Sequence, residues 1–116
     1  MAKFDKIAVL NKIGSTGMVP VFYHKDAEVA KKVVKACYDG GVRAFEFTNR
    51  GDFAQEVFAE IVKYAAKECP EMAMGVGSIV DPATAALITC NVNLIYTYGC
   101  VVSGYLYLPF TSAVWV

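Results

Sequence analysis

Four residues stand out by type and spacing: Glu46, Thr48, Arg50 and Ser78. The first three lie in the run Arg43-Ala44-Phe45-Glu46-Phe47-Thr48-Asn49-Arg50. Side chains alternate across a strand, so Phe45 and Phe47 share one face, and Ala44, Glu46 and Thr48 share the other. A strand with an aromatic face and helical sequence on both sides is expected to be covered on both faces. A carboxylate there must be paired, hydrogen-bonded or protonated, which makes Glu46 a candidate acid–base group. The plainer alternative is a glutamate on the solvent side of a half-exposed sheet. Arg50 follows in the loop leaving the strand, where a planar guanidinium can hold a small carboxylate through two parallel hydrogen bonds. Its plainer reading is a surface arginine. Ser78 closes Gly75-Val76-Gly77-Ser78, a turn that can bring backbone amides to an anion but lacks the third glycine of a dinucleotide loop.

The surrounding pattern must position these groups. Phe4, Ile7, Leu10 and Ile13 predict a short amphipathic helix, broken by Gly14-Ser15-Thr16-Gly17. Residues 18–23 predict a first strand, with Pro20 favouring its start or a sheet edge. Asp26 predicts the cap of a helix with a stripe of Ala27, Ala30, Val34 and Cys37, ended by Gly40-Gly41. After the Glu46 strand, Asp52 and Gln55 have capping-box spacing, and Phe53, Val57, Ile61 and Ala65 predict the buried stripe of the next helix. Met72 to Val76 predicts a third strand, Asp81-Pro82 a helix start, and Asn93 to Tyr98 a fourth strand.

Strand and helix alternate throughout, which predicts an α/β fold with a parallel sheet and right-handed crossovers. Ligands in such sheets sit at the carboxyl ends of the strands, where these four residues fall.

Bulk composition limits the alternatives. At 116 residues the chain suits one domain. Eleven basic residues balance eleven acidic ones, so no electrostatic footprint points to nucleic acid or an anionic membrane. Cys37, Cys69, Cys90 and Cys100 are widely spaced, with no C-x-x-C pair and a single His24, so no metal site is expected. The cysteines read as reduced, mostly buried thiols of a cytoplasmic protein. No signal peptide is expected at the N-terminus.

The hydrophobic fraction of 56% exceeds the usual range of about 45–50%. From Pro82 to Val116 there is no acidic or basic side chain. Residues 1–90 therefore read as one unit and 91–116 as an uncharged apolar tail, such as a frameshift or truncation near Leu87 would leave. Residues 94–116 are long enough to cross a bilayer. Pro109, two glycines, four tyrosines and the lack of flanking Lys or Arg argue against a span. Tyr105-Leu106-Tyr107-Leu108 and Ala113-Val114-Trp115-Val116 predict strand pairing and self-association.

Three blocks carry a resemblance: Gly17-Met18-Val19-Pro20-Val21, Gly40-Gly41-Val42-Arg43-Ala44-Phe45-Glu46-Phe47-Thr48-Asn49-Arg50, and Gly75-Val76-Gly77-Ser78. In order and spacing they resemble the 2-keto-3-deoxy-6-phosphogluconate and 4-hydroxy-2-oxoglutarate aldolases, from about residue 4 to about residue 88. The resemblance implies about the first four units of a (β/α)8 barrel, commonly trimeric. It also implies class I aldol cleavage to pyruvate and an aldehyde, without metal or cofactor. It gives Glu46 the proton relay, Arg50 the pyruvate carboxylate, Ser78 an assisting hydroxyl and Thr48 a substrate contact. The Schiff-base lysine of that family lies on a sixth strand, and no lysine of this sequence matches it. The expectation is a segment without Schiff-base activity of its own. The alternative is a non-catalytic α/β domain that binds small carboxylates or self-associates.

Overall fold

The computed structural model describes residues 4–79, 81–91 and 114–115. Three strands, β1 (Val21–Phe22), β2 (Ala44–Thr48) and β3 (Ala73–Gly77), form a parallel sheet in chain order. Helices α1 (Lys6–Thr16), α2 (Ala27–Asp39), α3 (Ala54–Glu68) and α4 (Pro82–Asn91) alternate with them. A further two-residue strand, β4 (Val114–Trp115), pairs antiparallel with β3. The expected parallel arrangement holds for β1, β2 and β3, and β4 falls in the stretch 113–116 expected to pair with other strands. The fourth strand predicted over residues 93–98 lies outside the described residues, as does most of the apolar tail.

Capping chemistry sets most helix ends. The Asp5 carboxylate accepts from the Ala8 amide at 2.7 Å and starts α1. That helix runs through Gly14 to Thr16 and closes at Gly17. There φ is +65°, a conformation suited to glycine, and the amide donates to the Ile13 carbonyl. Asp26 caps α2 as predicted, accepting from the amides of Glu28 at 2.8 Å and Val29 at 3.4 Å. Asp81 caps α4, accepting from the Thr84 amide at 2.8 Å and the Thr84 hydroxyl at 2.7 Å.

At α3 the prediction needs correction. Phe53 occupies the cap position with φ +57°, and no side chain caps the helix. The buried stripe is accordingly Ala54, Phe58, Ile61 and Ala65, whereas Phe53 is exposed. In α1, likewise, Val9 is buried while Ile7 and Leu10 are exposed.

Every residue of β2 and β3 is buried. The register pairs Phe45 with Met74 and Phe47 with Val76, so these four share one face. They join Ala30 and Val34 of α2, Phe58 and Ile61 of α3 and Ile88 of α4 in one core. Phe47 stacks on Phe58 with centroids 6.1 Å apart. Ala44, Glu46 and Thr48 face the other way, with Ala73, Gly75 and Gly77 beside them. α1 approaches β2. Below the site, Arg43 donates to Glu71 at 3.1 Å and to the Tyr38 carbonyl at 2.9 Å, tying β2 to α2 and to the start of β3. Cys37 and Cys69 are free thiols, half-buried and buried respectively.

Candidate active site

Parallel pairing brings the carboxyl ends of β2 and β3 to one edge. Glu46 pairs with Gly75 and Thr48 with Gly77, and the ladder continues as the Asn49 amide donates to the Gly77 carbonyl at 2.9 Å. Arg50 is two residues past the end of β2, and Ser78 is one past the end of β3. The Arg50 Nε–H donates to Ser78 Oγ at 3.1 Å, joining two loops that are 28 residues apart in sequence. Ser78 holds φ at +62°, a conformation that costs a non-glycine residue on the order of 1 kcal/mol or more and recurs at functional sites.

Glu46 is 6% exposed. Its Oε2 is buried and has no hydrogen-bond partner among the described residues. Burial pushes the carboxyl above the ordinary carboxylate range, and the nearby positive charge of Arg50 opposes that push. Among the described residues the two form no direct ion pair, and the Nε–H of Arg50 goes to Ser78. An acid group whose pKa is raised by burial, near a cation with which it makes no direct pair, is suited to pass a proton to and from a bound molecule. Thr48 is also buried, at 5% exposure, on the Glu46 face. All four predicted residues thus meet at one end of the sheet, with Arg50 and Ser78 in contact.

Sequence reasoning passed over Tyr23 and Gly51, and read Gly77 only as part of a turn. Gly77 lies against Glu46, and an added Cβ there would overlap Oε1. Gly51, next to Arg50, lies against the Tyr23 hydroxyl, and an added Cβ would overlap it. Tyr23 is held by packing on Phe47, 5.6 Å between centroids. Gly75-x-Gly77 was visible as a motif, but the group that it accommodates comes from a different strand. Nothing local in the sequence links Gly51 to Tyr23.

No lysine lies on any described strand. Lys31 bridges Glu28 at 2.6 Å and Glu60 at 3.3 Å, and Lys35 pairs with Asp39, both from α2. Among the described residues no three His, Cys, Asp or Glu side chains converge as metal ligands do. No helix among them is long and apolar enough to cross a membrane.

Alternating βα units that present a buried acid, a cation and a hydroxyl at the carboxyl ends of parallel strands define a class. It is an α/β arrangement of alternating βα units, compatible with part of a (β/α)8 barrel. Within that class, the chain is similar to the KHG/KDPG aldolase of Escherichia coli (strain K12), at 36% identity over 72 residues, or 62% of this chain. The enzymes of the same name from Escherichia coli O157:H7 and Shigella flexneri match it equally. The aligned stretch spans 32% of the length of each relative, about a third. No family model matches the chain. The resemblance that the three sequence blocks carry is therefore to these aldolases and covers part of the chain.

Proposed function

We propose that this segment carries the pyruvate-holding and proton-relaying part of a class I aldolase site. The substrate would be 2-keto-3-deoxy-6-phosphogluconate or 4-hydroxy-2-oxoglutarate, cleaved to pyruvate and an aldehyde. The observation that supports this most is a buried Glu46 carboxyl with an oxygen unpartnered among the described residues, beside a strand-end arginine, in a stretch 36% identical to KHG/KDPG aldolases. In this reading Arg50 holds the pyruvate carboxylate with its remaining N–H donors, while its Nε–H stays on Ser78. The Ser78 hydroxyl orients the keto acid, and Thr48 contacts it from the strand. Glu46 moves protons as a carbinolamine loses water and as the enamine left by carbon–carbon cleavage is protonated.

The amine of such a reaction must be desolvated to be nucleophilic at neutral pH. Among the described lysine side chains none lies on a strand, and Lys31 and Lys35 of α2 are tied to carboxylates at the surface. The reactive lysine would come from outside these 116 residues, and the working assembly would be a cytoplasmic trimer of barrels. The expected outcome is that pyruvate binds the 116-residue chain reversibly. Borohydride should then trap no adduct, as read by mass spectrometry. A covalent pyruvyl adduct on any lysine would overturn the missing-lysine reading. Absence of pyruvate binding by calorimetry would overturn the carboxylate site.

A second reading has its own support. β1 stands at the sheet edge, and residues 82–116 carry no charge, which favours strand pairing between copies. The chain would then be a self-associating α/β domain. Sedimentation that shows a single monomeric species would remove it.

A further inference from the structure

We infer that Gly77 is a positioning residue for the Glu46 carboxyl group: the bare Cα at the exit of β3 is the space in which that carboxyl lies. The contact crosses from one strand to the next and has a definite geometry. A Cβ built on Gly77 would overlap Oε1 of Glu46, and would stand 2.8 Å from its Cδ and 3.3 Å from its Cγ. Three successive atoms of the side chain therefore run past the glycine.

The backbone does not explain a glycine here. Among the described residues the glycines with positive φ are Gly17 and Gly41, and Gly77 is not among them. It sits in a regular parallel ladder, paired with Thr48 and accepting from the Asn49 amide at 2.9 Å. Glycine in such a position loses more conformational freedom on folding than alanine would. The residue is demanded by what lies against it, and what lies against it is the acid group of the site.

The atoms that an alanine would meet are the far end of a flexible side chain, not backbone. Alanine at 77 would therefore turn the carboxyl out of its place and leave the sheet intact. Gly77 and Ser78 then divide the work at the end of β3. Ser78 anchors the cation through Arg50, and Gly77 sets where the acid stops. The consequence for proton transfer rests on the role proposed above for Glu46, whereas the steric contact does not.

The test is a cycle of three variants of the full chain: Gly77→Ala, Glu46→Ala and the two combined. Melting temperature and the titration of a carbon-13-labelled Glu46 carboxyl are the readouts. Gly77→Ala alone should lower the melting temperature by roughly 5 °C, from overpacking of a buried contact. It should also move the Glu46 titration back toward the ordinary carboxylate range as the group swings toward water. In the Glu46→Ala background the same change should cost nothing, or raise the melting temperature. An equal loss in both backgrounds would overturn the proposal, and so would a Glu46 titration that Gly77→Ala leaves unmoved. If Gly77→Ala alone does not fold, the combined variant decides: folding supports the contact, and failure assigns the glycine to the backbone. Pyruvate titration of the unsubstituted chain reports on the function of Glu46 separately, so either idea can fail without the other.

Discussion

The two faces of β2 and β3 are built from the same ten residues and obey opposite rules. One face carries Phe45, Phe47, Met74 and Val76, pressed against α2, α3 and α4. The other carries Ala44, Glu46, Thr48, Ala73, Gly75 and Gly77, which are small residues around one acid. Both faces are buried. On the first, burial is favourable and non-directional, so stability depends on volume. On the second, burial leaves Glu46 Oε2 without a partner among the described residues, a cost that stability alone would select against. The difference teaches that the aromatic face holds the strands in place, so that the other face can keep a poorly solvated acid beside a cation.

Substitutions separate the two faces. Phe58→Ala, at a fully buried core position, should destabilise by about 3–5 kcal/mol in urea unfolding and leave pyruvate affinity unchanged wherever the chain remains folded. A much smaller loss would mean that the aromatic face is not the principal source of stability.

Arg50→Ala should do the reverse. Calorimetry should show pyruvate binding weakened by about tenfold or more, with stability within about 0.5 kcal/mol, because the residue is exposed and bonded only to Ser78 among the described side chains. Loss of stability without loss of binding would return Arg50 to the surface arginines.

Asp26→Ala should cost about 1 kcal/mol through the α2 cap and touch neither the site nor the core. It calibrates what a local, sequence-legible feature contributes.

The finest discrimination is by pH. Glu46 has a folded value raised above its ordinary 4.5 by burial, against the opposing charge of Arg50. Between those two values the folded chain binds more protons than the unfolded one. Its contribution is therefore fully present below about 4.5 and is lost as pH rises through the raised value. Glu46→Gln should remove that dependence, so its stability relative to the unsubstituted chain should improve from pH 4 to pH 7. Parallel urea midpoints at the two values check this, and a gap that does not change with pH would place the carboxyl in water.

Much of this was legible in the residues. Alternation in Ala44-Phe45-Glu46-Phe47-Thr48 assigned the two faces, because a strand has a fixed period of two. Asp26 and Asp81 announced their helices, since a cap acts within three residues and needs no distant partner. At the start of α3, Asp52 has the right spacing, but the chain turns through Phe53 at φ +57°, so Ala54 and Phe58 are buried in place of Phe53 and Val57, while Ile61 and Ala65 are buried as expected. Phe58 stacks on Phe47 of β2, a contact that spacing within the helix does not encode. β4 lies in the stretch 113–116 that its β-propensity marked for strand pairing, but its antiparallel placement on β3 was not legible in the residues.

The sequence by itself determined which residues carry charge, which positions alternate and where two aspartates start helices. The tertiary structure alone decided that Glu46 is buried with an unpartnered oxygen, that Arg50 reaches Ser78 across 28 residues, and that Gly77 makes room for the acid. The physical reason is range. Periodicity and capping act over a few residues of chain, whereas desolvation and steric exclusion depend on what other strands bring within a few ångströms.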